Sequence, residues 1–574
     1  MSETGLDLKR EYLHDIRELL VAETEKAALL SRLPQYKTWA LSQRQVCDLE
    51  LLMNGGFNPL KGFLNEEDYY SVCHKMRLST GELWPMPVTL DVTENFARSL
   101  DLGELVVLLD QENVPLAILQ IESKWKPNKS EEATLVFGAD DSAHPAVNYL
   151  HNKAGDWYVG GTVLGLQLPT HYDYLQHRYT PRELRKIFAE KNWDQIVAFQ
   201  TRNPMHRAHF ELTLRAAASE NLNLLLHPVV GMTKPGDIDH HTRVRCYKKV
   251  IEKYPSEMAF LSLLPLAMRM AGPREALWHA LIRKNYGATH FIIGRDHAGP
   301  GNSSQGSPFY DPYAAQALVA EYADEVQIKT LPFNAVSYVE NKEKYLMSHE
   351  IESGDKVLDI SGTEFRRCLQ QGLDVPEWFS FPDVINVLKT THPPKHKQGF
   401  TLFFTGLSGA GKSTIANALL VKLLEEDERA VTLLDGDVVR KNLSSELGFS
   451  KEHRDLNILR VGYVASEITK HRGIAICAAI APYENVRQAV RAQVEPYGGF
   501  IEIYVSTSID TCKQRDRKGL YKKAEEGLIK GFTGIDDPYE IPHKPEVIVD
   551  TAQLSVMDSV QHILQTLKKL GYRA

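Results

Sequence analysis

The segment QTRNPMHRAH (200–209) places two histidines three residues apart, beside an arginine and an asparagine. Residues three apart on a helix share a face, so His206 and His209 can direct their imidazoles at one target. The pair could bind a metal ion, donate hydrogen bonds to a phosphate, or simply pack and cap. A zinc site needs further ligands. The sequence contains no H-E-x-x-H motif, and nothing in it connects a second cluster, Asp239 to His241, to this pair.

Binding of a phosphate is the use of the pair that the surrounding sequence favours. The motif follows IVAFQ (196–200), which is typical of a buried strand, and it leads into a predicted helix. Ligands of open α/β sheets bind at the carboxyl ends of the strands. Protonated imidazoles one turn apart, with Arg202 and Asn203 as further donors, suit an α-phosphate that gathers charge in a transition state.

A second phosphate motif occurs at GLSGAGKS (406–413), which fits the pattern G-x-x-x-x-G-K-[ST]. It lies between an apolar run (400–404) and a helix-like stretch (415–424), which is the context that a P-loop requires. Lys412 would reach the terminal phosphates, and Ser413 would bind Mg²⁺. Asp435 and Asp437 end the next strand-like run; alone they indicate a turn, but after a P-loop they would face the nucleotide.

The elements that position these motifs alternate between strands and helices from about residue 170, which predicts a parallel α/β sheet. Before it, short β-rich runs such as PVTLDV (87–92), ELVVLL (104–109) and LAILQI (116–121) predict a mostly β domain. Apolar residues at helical spacing predict a helix over 8–33. THPPKHKQG (391–399) is typical of a linker, and a second α/β unit follows it.

The composition restricts the class of protein. A net charge of −8, with 43% hydrophobic and 24% charged residues, gives no basic field for nucleic acid or a membrane surface. The N-terminus lacks the apolar region of a signal peptide, and no apolar run is long enough to span a membrane. The six cysteines form no C-x-x-C pair, so free thiols in the cytoplasm are expected.

Residues up to about 395 resemble ATP sulfurylase. The resemblance is carried, in order, by GGFNPLKGFL (55–64), QTRNPMHRAH, MRMAGPREALWHALIRKNYG (268–287), FIIGRDHAGPG (291–301), PFYDPYAAQ (308–316) and ISGTEFRR (360–367). It implies that Thr201, Arg202, Asn203, His206 and His209 serve catalysis. It also implies a binding site for sulfate and ATP made by Gln200, Arg202, Gly294, Arg295, Asp296, His297, Ala298, Phe333 and Val336.

Residues 404–540 resemble adenylylsulfate (APS) kinase, through FTGLSGAGKST, DGDVVR, FSKEHRDLNILR, APYENVR, RDRKGLYKKA and GFTGIDDPYE. The resemblance implies that Asp437 is the base on the ribose 3′-hydroxyl. The P-loop would comprise Gly406, Leu407, Ser408, Gly409, Ala410, Gly411, Lys412, Ser413 and Thr414. The APS site would comprise Asp435, Asp437, Arg440, Arg454, Asn457, Ile480, Ala481, Arg487, Lys522 and Phe532. Ala481 and Val438 depart from the family's usual serine and asparagine.

We therefore predict a multidomain α/β protein. A β-rich, PUA-like domain would span 1–168, an HxGH-type nucleotidylyltransferase domain 169–394 with a small subdomain at about 332–394, and a P-loop kinase domain 395–574. The two activities would convert ATP and sulfate to APS and pyrophosphate, and then APS and ATP to PAPS and ADP. Mg²⁺ would accompany ATP, with no tightly bound cofactor, and the chain would form a dimer or hexamer.

Other functions stay open. In some fungal sulfurylases the kinase-like domain is an inactive regulator that binds PAPS, but those domains carry a damaged P-loop, whereas Gly411, Lys412 and Ser413 are intact here. The sulfurylase reaction could also run in reverse, making ATP in sulfur oxidation. An aminoacyl-tRNA ligase would show a KMSKS-like loop and a basic face, and a scaffold protein would leave two nucleotide motifs without a use.

Overall fold

The computed structural model describes residues 16–332, 336–516 and 519–573, apart from the side chains of Pro332 and Asp437. The described residues divide into two compact units, Met1–Ile360 with Val375–Val387, and Ser361–Asp374 with Leu388–Ala574. In the described part of the chain, no helix is long and apolar enough to cross a membrane. All six cysteines are buried and free of disulfides.

The first sheet is mainly antiparallel and contains strands from each of the short β-rich runs. Its strands are β1 Lys37–Ala40, β2 Gly62–Phe63, β3 Leu90–Val92, β4 Leu105–Leu109, β5 Pro115–Trp125 and β6 Trp157–Gly165. They lie in the order β1-β4-β5-β6-β2, and β3 also pairs with β6. The surrounding helices are Glu23–Leu30, Gln43–Met53, Glu66–Lys75, Glu94–Ser99, Lys129–Phe137 and Pro145–Asn152, with a 3₁₀ turn at Leu33–Gln35.

The helix predicted over 8–33 is confirmed only at Glu23–Leu30 and is wrong over 16–22, and positions 8–15 lie outside the described residues. Helix begins only at Glu23. Before it, the Leu19 N–H donates to the Met53 carbonyl, and the Gly165 N–H donates to the Leu19 carbonyl. This backbone pairing with the end of β6 buries Leu19 in the core, so tertiary contacts override the helical spacing of the sequence.

The second sheet is wholly parallel and lies in the order β11-β10-β7-β8-β9. Its strands are β7 Ile196–Phe199, β8 Asn223–Leu226, β9 Ala259–Leu261, β10 His290–Ile293 and β11 Lys329–Pro332. The helices of this part are Pro181–Glu190, Arg207–Ser219, His240–Ile251, Gly272–Asn285, Ala314–Glu321 and Ala323–Val326, with a 3₁₀ turn at Leu175–His177. β7 and β10 are buried along their whole length, as strands of a covered parallel sheet are.

The β-rich and α/β parts of the first unit share one core. Phe57, which precedes β2, contacts both Trp84 and Trp278, with ring centroids 5.6 and 5.0 Å apart. All three rings are completely buried. Aromatic side chains contribute the largest apolar area to a core, so this cluster fixes the helix Gly272–Asn285 against the β-rich part.

A small antiparallel sheet follows, with the order β13-β12-β14 and strands β12 Val336–Val339, β13 Lys344–Met347 and β14 Val357–Leu358. Short 3₁₀ turns occur at Glu340–Lys342 and Ser348–Glu350, and helices follow at Gly362–Gln371 and Pro382–Thr391. Residues 376–381 lie between these two helices in the sequence.

The last sheet is also parallel, in the order β16-β17-β15-β18-β19. Its strands are β15 Phe400–Thr405, β16 Val431–Asp435, β17 Ile474–Ala478, β18 Gly499–Val505 and β19 Val547–Val549. The helices are Lys412–Glu426, Gly436–Leu443, Lys451–Lys470, Glu484–Val494, Ile509–Arg515, Leu520–Glu525 and Val556–Lys569, with a 3₁₀ turn at Lys395–Lys397. β15, in the centre, is buried at every position, and its carboxyl end leads into the glycine-rich loop.

Candidate active sites

The first site forms where the order of the parallel strands reverses direction. β7 and β10 are neighbours, with His290 opposite Val197, yet β7 is followed by β8 on one side and β10 by β11 on the other. The loops that leave such a pair of strands diverge and open a crevice at their carboxyl ends. The structure therefore brings residues 200–206 and residues 294–301 to the same edge of the sheet, as predicted.

The paired histidines lie at the N-terminus of the helix Arg207–Ser219. His206 is the N-cap residue, and its backbone N–H donates to Nδ1 of His209 at 3.4 Å. The ring centroids are 6.3 Å apart. Nδ1 of His206 lies 2.9 Å from Oγ of Ser380. A helix N-terminus presents N–H groups and a positive dipole, which favour an anion.

Both imidazoles are partly buried, which bears on the expectation that they are protonated. Burial, together with the neighbouring His209, lowers the pKa of His206 to about 3. Burial also lowers the pKa of His209. Because a group whose pKa lies below the ambient pH has lost its proton, both rings are neutral near pH 7 and each carries one N–H. They can still donate to phosphate, but only from the protonated nitrogen.

Arg202 is held by an acidic residue that the sequence did not single out. Its guanidinium lies 2.5 Å from a carboxylate oxygen of Asp237, and both side chains are mostly buried. Burial raises the pKa of Asp296, while the positive charges of Arg202, Arg295 and Lys234 oppose that rise. Three cations therefore lie around the crevice with the carboxylates of Asp237 and Asp296, which leaves a small local excess of positive charge.

Hydrogen bonds within the loop fix the remaining predicted residues that follow β7. The Asn203 N–H donates to Oγ1 of Thr201 at 3.1 Å, and the Asn203 carbonyl accepts from the Tyr247 hydroxyl at 2.8 Å. The Gln200 amide lies 3.6 Å from Sδ of Met268. These bonds hold the loop backbone in one conformation, so the crevice is largely preorganised.

The loop after β10 contributes its backbone more than its side chains. Asp296 and Ala298 have φ angles of 54° and 53°, in the left-handed region that favours glycine. Among the described residues, apart from its chain neighbours, no atom lies within 4 Å of where a Cβ on Gly294 would project. Val336 begins β12 and is half-buried, and Phe333 lies outside the described residues.

His297 is brought to this loop but turns inward. Its Nε2 lies 3.0 Å from Nδ1 of His279, and Nε2 of His279 lies 3.3 Å from Oε1 of Glu275. His279 and Glu275 are completely buried and His297 nearly so. This chain of buried polar groups holds Nε2 of His297 beneath the loop, and the predicted contact of His297 with ATP stays a prediction.

The cluster that the sequence places at Asp239 to His241 is assembled differently. Asp239 caps the helix His240–Ile251 by accepting from the Thr242 N–H at 2.9 Å. Asp173 takes its place beside the histidines, with Oδ2 2.9 Å from Nε2 of His240 and 3.8 Å from Nδ1 of His241. The guanidinium of Arg178 lies 2.7 Å from Asp173 Oδ1. Arg178 already compensates the carboxylate charge, so an ion-pair cluster accounts for these groups.

The glycine-rich loop of the second unit has the conformation that a phosphate cradle needs. Gly409 and Gly411 have φ angles of 76° and 105°, where a Cβ would be strained. Lys412 follows at the first position of the helix Lys412–Glu426. Its ammonium donates to the carbonyls of Gly406 at 2.9 Å and Leu407 at 2.7 Å. Burial lowers the pKa of Lys412 to about 8.

Two oxygen ligands suitable for Mg²⁺ meet at this loop. Oγ of Ser413 donates to a carboxylate oxygen of Asp435 at 2.9 Å. Mg²⁺ prefers hard oxygen ligands, usually one or two carboxylates together with phosphates and water. The donor set present therefore fits the ion, with Asp435 at the end of β16 as the second protein ligand.

The predicted APS-binding residues begin where β16 ends. Asp437 lies in the helix Gly436–Leu443, and its side chain lies outside the described part of the structure. Arg440 donates to the carbonyls of Leu447 and Gly448, at 3.1 and 2.9 Å. Asn457 is buried, and within the described residues its side-chain oxygen has no hydrogen-bond partner.

Arg454 is held by a small network. It donates to Oγ1 of Thr533 at 3.0 Å and to the Tyr483 hydroxyl at 3.1 Å, and it pairs with Asp537 at 3.0 Å. The Tyr483 hydroxyl donates to the same carboxylate. Asp537 lies within the quoted motif GFTGIDDPYE but was not singled out from the sequence. The network joins two segments that are distant in sequence around one arginine.

Aromatic contacts place Phe532 beside the glycine-rich loop. Its ring packs edge-on against Tyr521, with centroids 5.0 Å apart, and the Tyr521 hydroxyl donates to the Ser408 carbonyl at 2.8 Å. Lys522 follows Tyr521 in the helix Leu520–Glu525. The neighbouring carbonyl of Ile480 accepts from the Thr405 hydroxyl at 2.7 Å. These predicted residues therefore surround the P-loop.

Arg487 does not reach this site as a free cation. Its side chain is completely buried and lies 2.8 Å from Oε1 of the equally buried Glu502. It also donates to the carbonyls of Ala481 and Glu540, at 2.8 and 2.9 Å. Arg487 therefore supports the backbone at Ala481, and its predicted contact with APS stays a prediction.

We expect Arg487→Ala to destabilise the second unit more than it weakens APS binding. Removing Arg487 leaves the buried Glu502 with only the more distant Arg491, at 3.6 Å, as an ion-pair partner, and this should cost up to about 3–5 kcal/mol. The free energy of unfolding, measured by urea titration, would show this loss. Arg460→Ala removes an ion pair with Glu446 that is partly exposed and should cost at most about 1 kcal/mol. Equal losses in the two variants would contradict the buried role of Arg487.

Comparison with known proteins gives matches over the whole chain. Three family models match in order: PUA-like domain at residues 11–168, ATP-sulfurylase at 175–391 and Adenylylsulphate kinase at 398–550. A sulfate adenylyltransferase of Chaetomium globosum is 52% identical over 97% of this chain and 98% of that protein. One of Yarrowia lipolytica is 51% identical over 93% of each.

A solved structure agrees with these matches. A hexameric APS kinase from Thiobacillus denitrificans superposes with a TM-score of 0.80 at 38% identity, covering 97% of this chain and 98% of that one. The similarity therefore extends well beyond the region matched by the kinase model. It includes the β-rich part and both parallel sheets.

Proposed function

Because this chain belongs to the sulfate adenylyltransferase family and joins an ATP-sulfurylase domain to an adenylylsulphate kinase domain, we propose that it makes PAPS from sulfate in two steps. The first joins sulfate to the α-phosphate of ATP and releases pyrophosphate. The second transfers the γ-phosphate of another ATP to the 3′-hydroxyl of APS and leaves ADP. The observation that carries the proposal is that one chain holds both a histidine pair at a helix N-terminus and an intact glycine-rich loop, each suited to a phosphate.

In the first reaction, a sulfate oxygen attacks the α-phosphorus, and the bond to the β-phosphate oxygen breaks as pyrophosphate leaves. Sulfate is fully ionised near neutral pH, so it needs no general base, but it is a weak nucleophile. Catalysis then depends on position and on charge stabilisation. Arg202 and Gln200 would hold sulfate, and the N–H groups of His206 and His209 would stabilise the phosphate and the departing pyrophosphate.

The pairing of Arg202 with Asp237 fits this assignment. An arginine held at 2.5 Å by a mostly buried carboxylate has a fixed position, and it still has further N–H groups for an incoming sulfate. Asn203 and Thr201 lie in the same loop and would contact the reacting phosphate. Arg295 and Asp296 would line the ATP site from the loop after β10.

In the second reaction, Asp437 would accept the proton of the 3′-hydroxyl as its oxygen attacks the γ-phosphate. Lys412 would exchange its two carbonyl acceptors for phosphate oxygens. Ser413 and Asp435 would hold Mg²⁺, which would neutralise phosphate charge when bound with ATP. Arg454 and Arg440 would bind the phosphosulfate, and Phe532 would stack on the adenine of APS.

A second candidate is a sulfurylase whose kinase domain only binds PAPS as a regulator. The intact loop, with Lys412 seated in it and Ser413 bonded to Asp435, favours the active kinase over this alternative. The physiological direction of the sulfurylase, including reverse operation that makes ATP, depends on conditions in the cell. Location in the cytoplasm and assembly into a dimer or hexamer remain predictions from the sequence.

The decisive experiment measures the two half-reactions separately on one preparation. The protein is incubated with MgATP and labelled sulfate, and APS and PAPS are separated and counted. It is then incubated with MgATP and APS alone. We expect PAPS in both assays. APS without PAPS in the first assay, together with no PAPS in the second, would support the regulatory alternative. The absence of both products would contradict the proposal.

A further inference from the structure

The segment 376–381, PEWFSF, which we call the clamp segment, lies against the first turn of the histidine-bearing helix. The Phe379 carbonyl accepts from the Arg207 N–H at 3.1 Å, and the Phe379 ring packs on the His206 ring with centroids 4.7 Å apart. Ser380 is only 1% exposed, and its hydroxyl lies 2.9 Å from Nδ1 of His206. The clamp segment therefore fixes the ring of His206 in two ways: Phe379 packs on the ring, and Ser380 forms a hydrogen bond with its Nδ1.

A neutral imidazole carries one N–H, and the nitrogen that holds it depends on the hydrogen bond at the other. A serine hydroxyl can donate or accept. If the Ser380 hydroxyl accepts, the proton of His206 lies on Nδ1. Nε2 then presents a lone pair to the oxygens of any bound phosphate, and this contact is repulsive. If the hydroxyl donates, the proton lies on Nε2, which can then donate to a phosphate oxygen. An anion in the crevice therefore selects the donating hydroxyl.

His209 shows the same arrangement with a partner that cannot reverse. Its Nδ1 accepts from the His206 backbone N–H, which can only donate. The proton of a neutral His209 therefore lies on Nε2. One backbone group and one serine hydroxyl would thus set both imidazoles to the same tautomer, in which each donates from Nε2.

We propose that Ser380 is a positioning residue for the sulfurylase reaction, holding His206 in the orientation and tautomer that donates a hydrogen bond to the reacting phosphates. This inference rests on the proposed sulfurylase activity. It assigns a chemical role to the clamp segment, and Ser380 itself need not touch the substrate.

The test compares kcat and KM for APS formation in a small set of variants. Ser380→Ala should lower kcat by about 10- to 100-fold, as for residues that orient metal-bound histidines. KM for ATP and for sulfate should change less than about twofold, because an interaction made mainly in the transition state affects kcat. Ser262 is also completely buried, and within the described residues its hydroxyl has no partner, so Ser262→Ala should keep kcat within about twofold of the wild type.

A pair of isosteric variants isolates the hydroxyl. Ser380→Thr and Ser380→Val add the same bulk in the same place, but only threonine keeps an O–H. We expect threonine to retain at least about five times the kcat of valine, since a lost preorganised donor costs much more than shape alone. Equal kcat values for the two, or an unchanged kcat in Ser380→Ala, would overturn the inference. A wild-type protein that forms no APS would instead contradict the proposed function, so the two failures are distinguishable.

Discussion

His206→Ala is expected to reduce APS formation by about 10²–10³-fold or more, equivalent to roughly 3–4 kcal/mol of transition-state stabilisation. The reason is that the imidazole lies at a helix N-terminus beside a cationic crevice and is held by Ser380 and Phe379. Its loss removes a positioned donor and leaves the phosphate to be solvated by water. Pyrophosphate release from MgATP and sulfate measures the effect directly.

The second reaction supplies the control for this variant. PAPS formation from supplied APS should stay within about twofold of the wild type, because the P-loop belongs to the other compact unit and His206 would serve only the first reaction. His74→Ala, which removes a half-exposed histidine of the first unit, should leave both rates unchanged. A folded His206→Ala protein that loses both activities equally would contradict the assignment of the histidine pair to the sulfurylase reaction.

Lys412→Ala should produce the opposite pattern, with PAPS formation from APS reduced by about 10²–10³-fold and APS formation preserved. The ammonium is the only side-chain cation of the GLSGAGKS motif, and it is already directed into the loop by the Gly406 and Leu407 carbonyls. Without it, the charge that develops on the transferred phosphoryl group loses its point-charge partner. Conversion of labelled ATP to PAPS at saturating APS gives the measurement.

Lys422→Ala provides the matched control for Lys412→Ala. Lys422 lies on the same helix and pairs with Glu425 at the surface, so its loss should leave kinase activity unchanged. The combination of His206→Ala and Lys412→Ala in one chain should eliminate both products. Full kinase activity in Lys412→Ala would mean that phosphate binding occurs elsewhere, and the P-loop assignment would then be wrong.

The sheets were predictable because their strands are short apolar runs with clear ends. The apolar runs IVAFQ (196–200), NLLLHPVV (223–230) and THFIIG (289–294) each contain a strand of the second sheet. The apolar run at 400–404, before GLSGAGKS, lies in β15. Parallel pairing then places the carboxyl ends together, which is why both phosphate sites could be located from the sequence. The helix predicted over 8–33 failed over 16–22 because backbone pairing with Met53 and Gly165 depends on residues far away in the chain.

The chemistry within the sites was less predictable than their location. Protonated histidines were expected from their position near phosphate, but the pKa of each is lowered by burial, a property of the folded chain. The resemblance to APS kinase predicts Arg487 as an APS ligand, but its buried partner Glu502 lies fifteen residues away on a strand, at no recognisable spacing. Ser380 lies 174 residues from His206, and only tertiary structure connects them.

The six buried cysteines can report when each compact unit of the chain unfolds. Cys47, Cys73 and Cys246 lie in the first compact unit, and Cys368, Cys477 and Cys512 lie in the second. A thiol buried in apolar surroundings is inert, because alkylating reagents attack the exposed thiolate. Each cysteine would therefore be alkylated only when its own unit opens. Mass spectrometry of peptides alkylated during mild denaturation would then measure the opening of each unit separately, without any engineered probe.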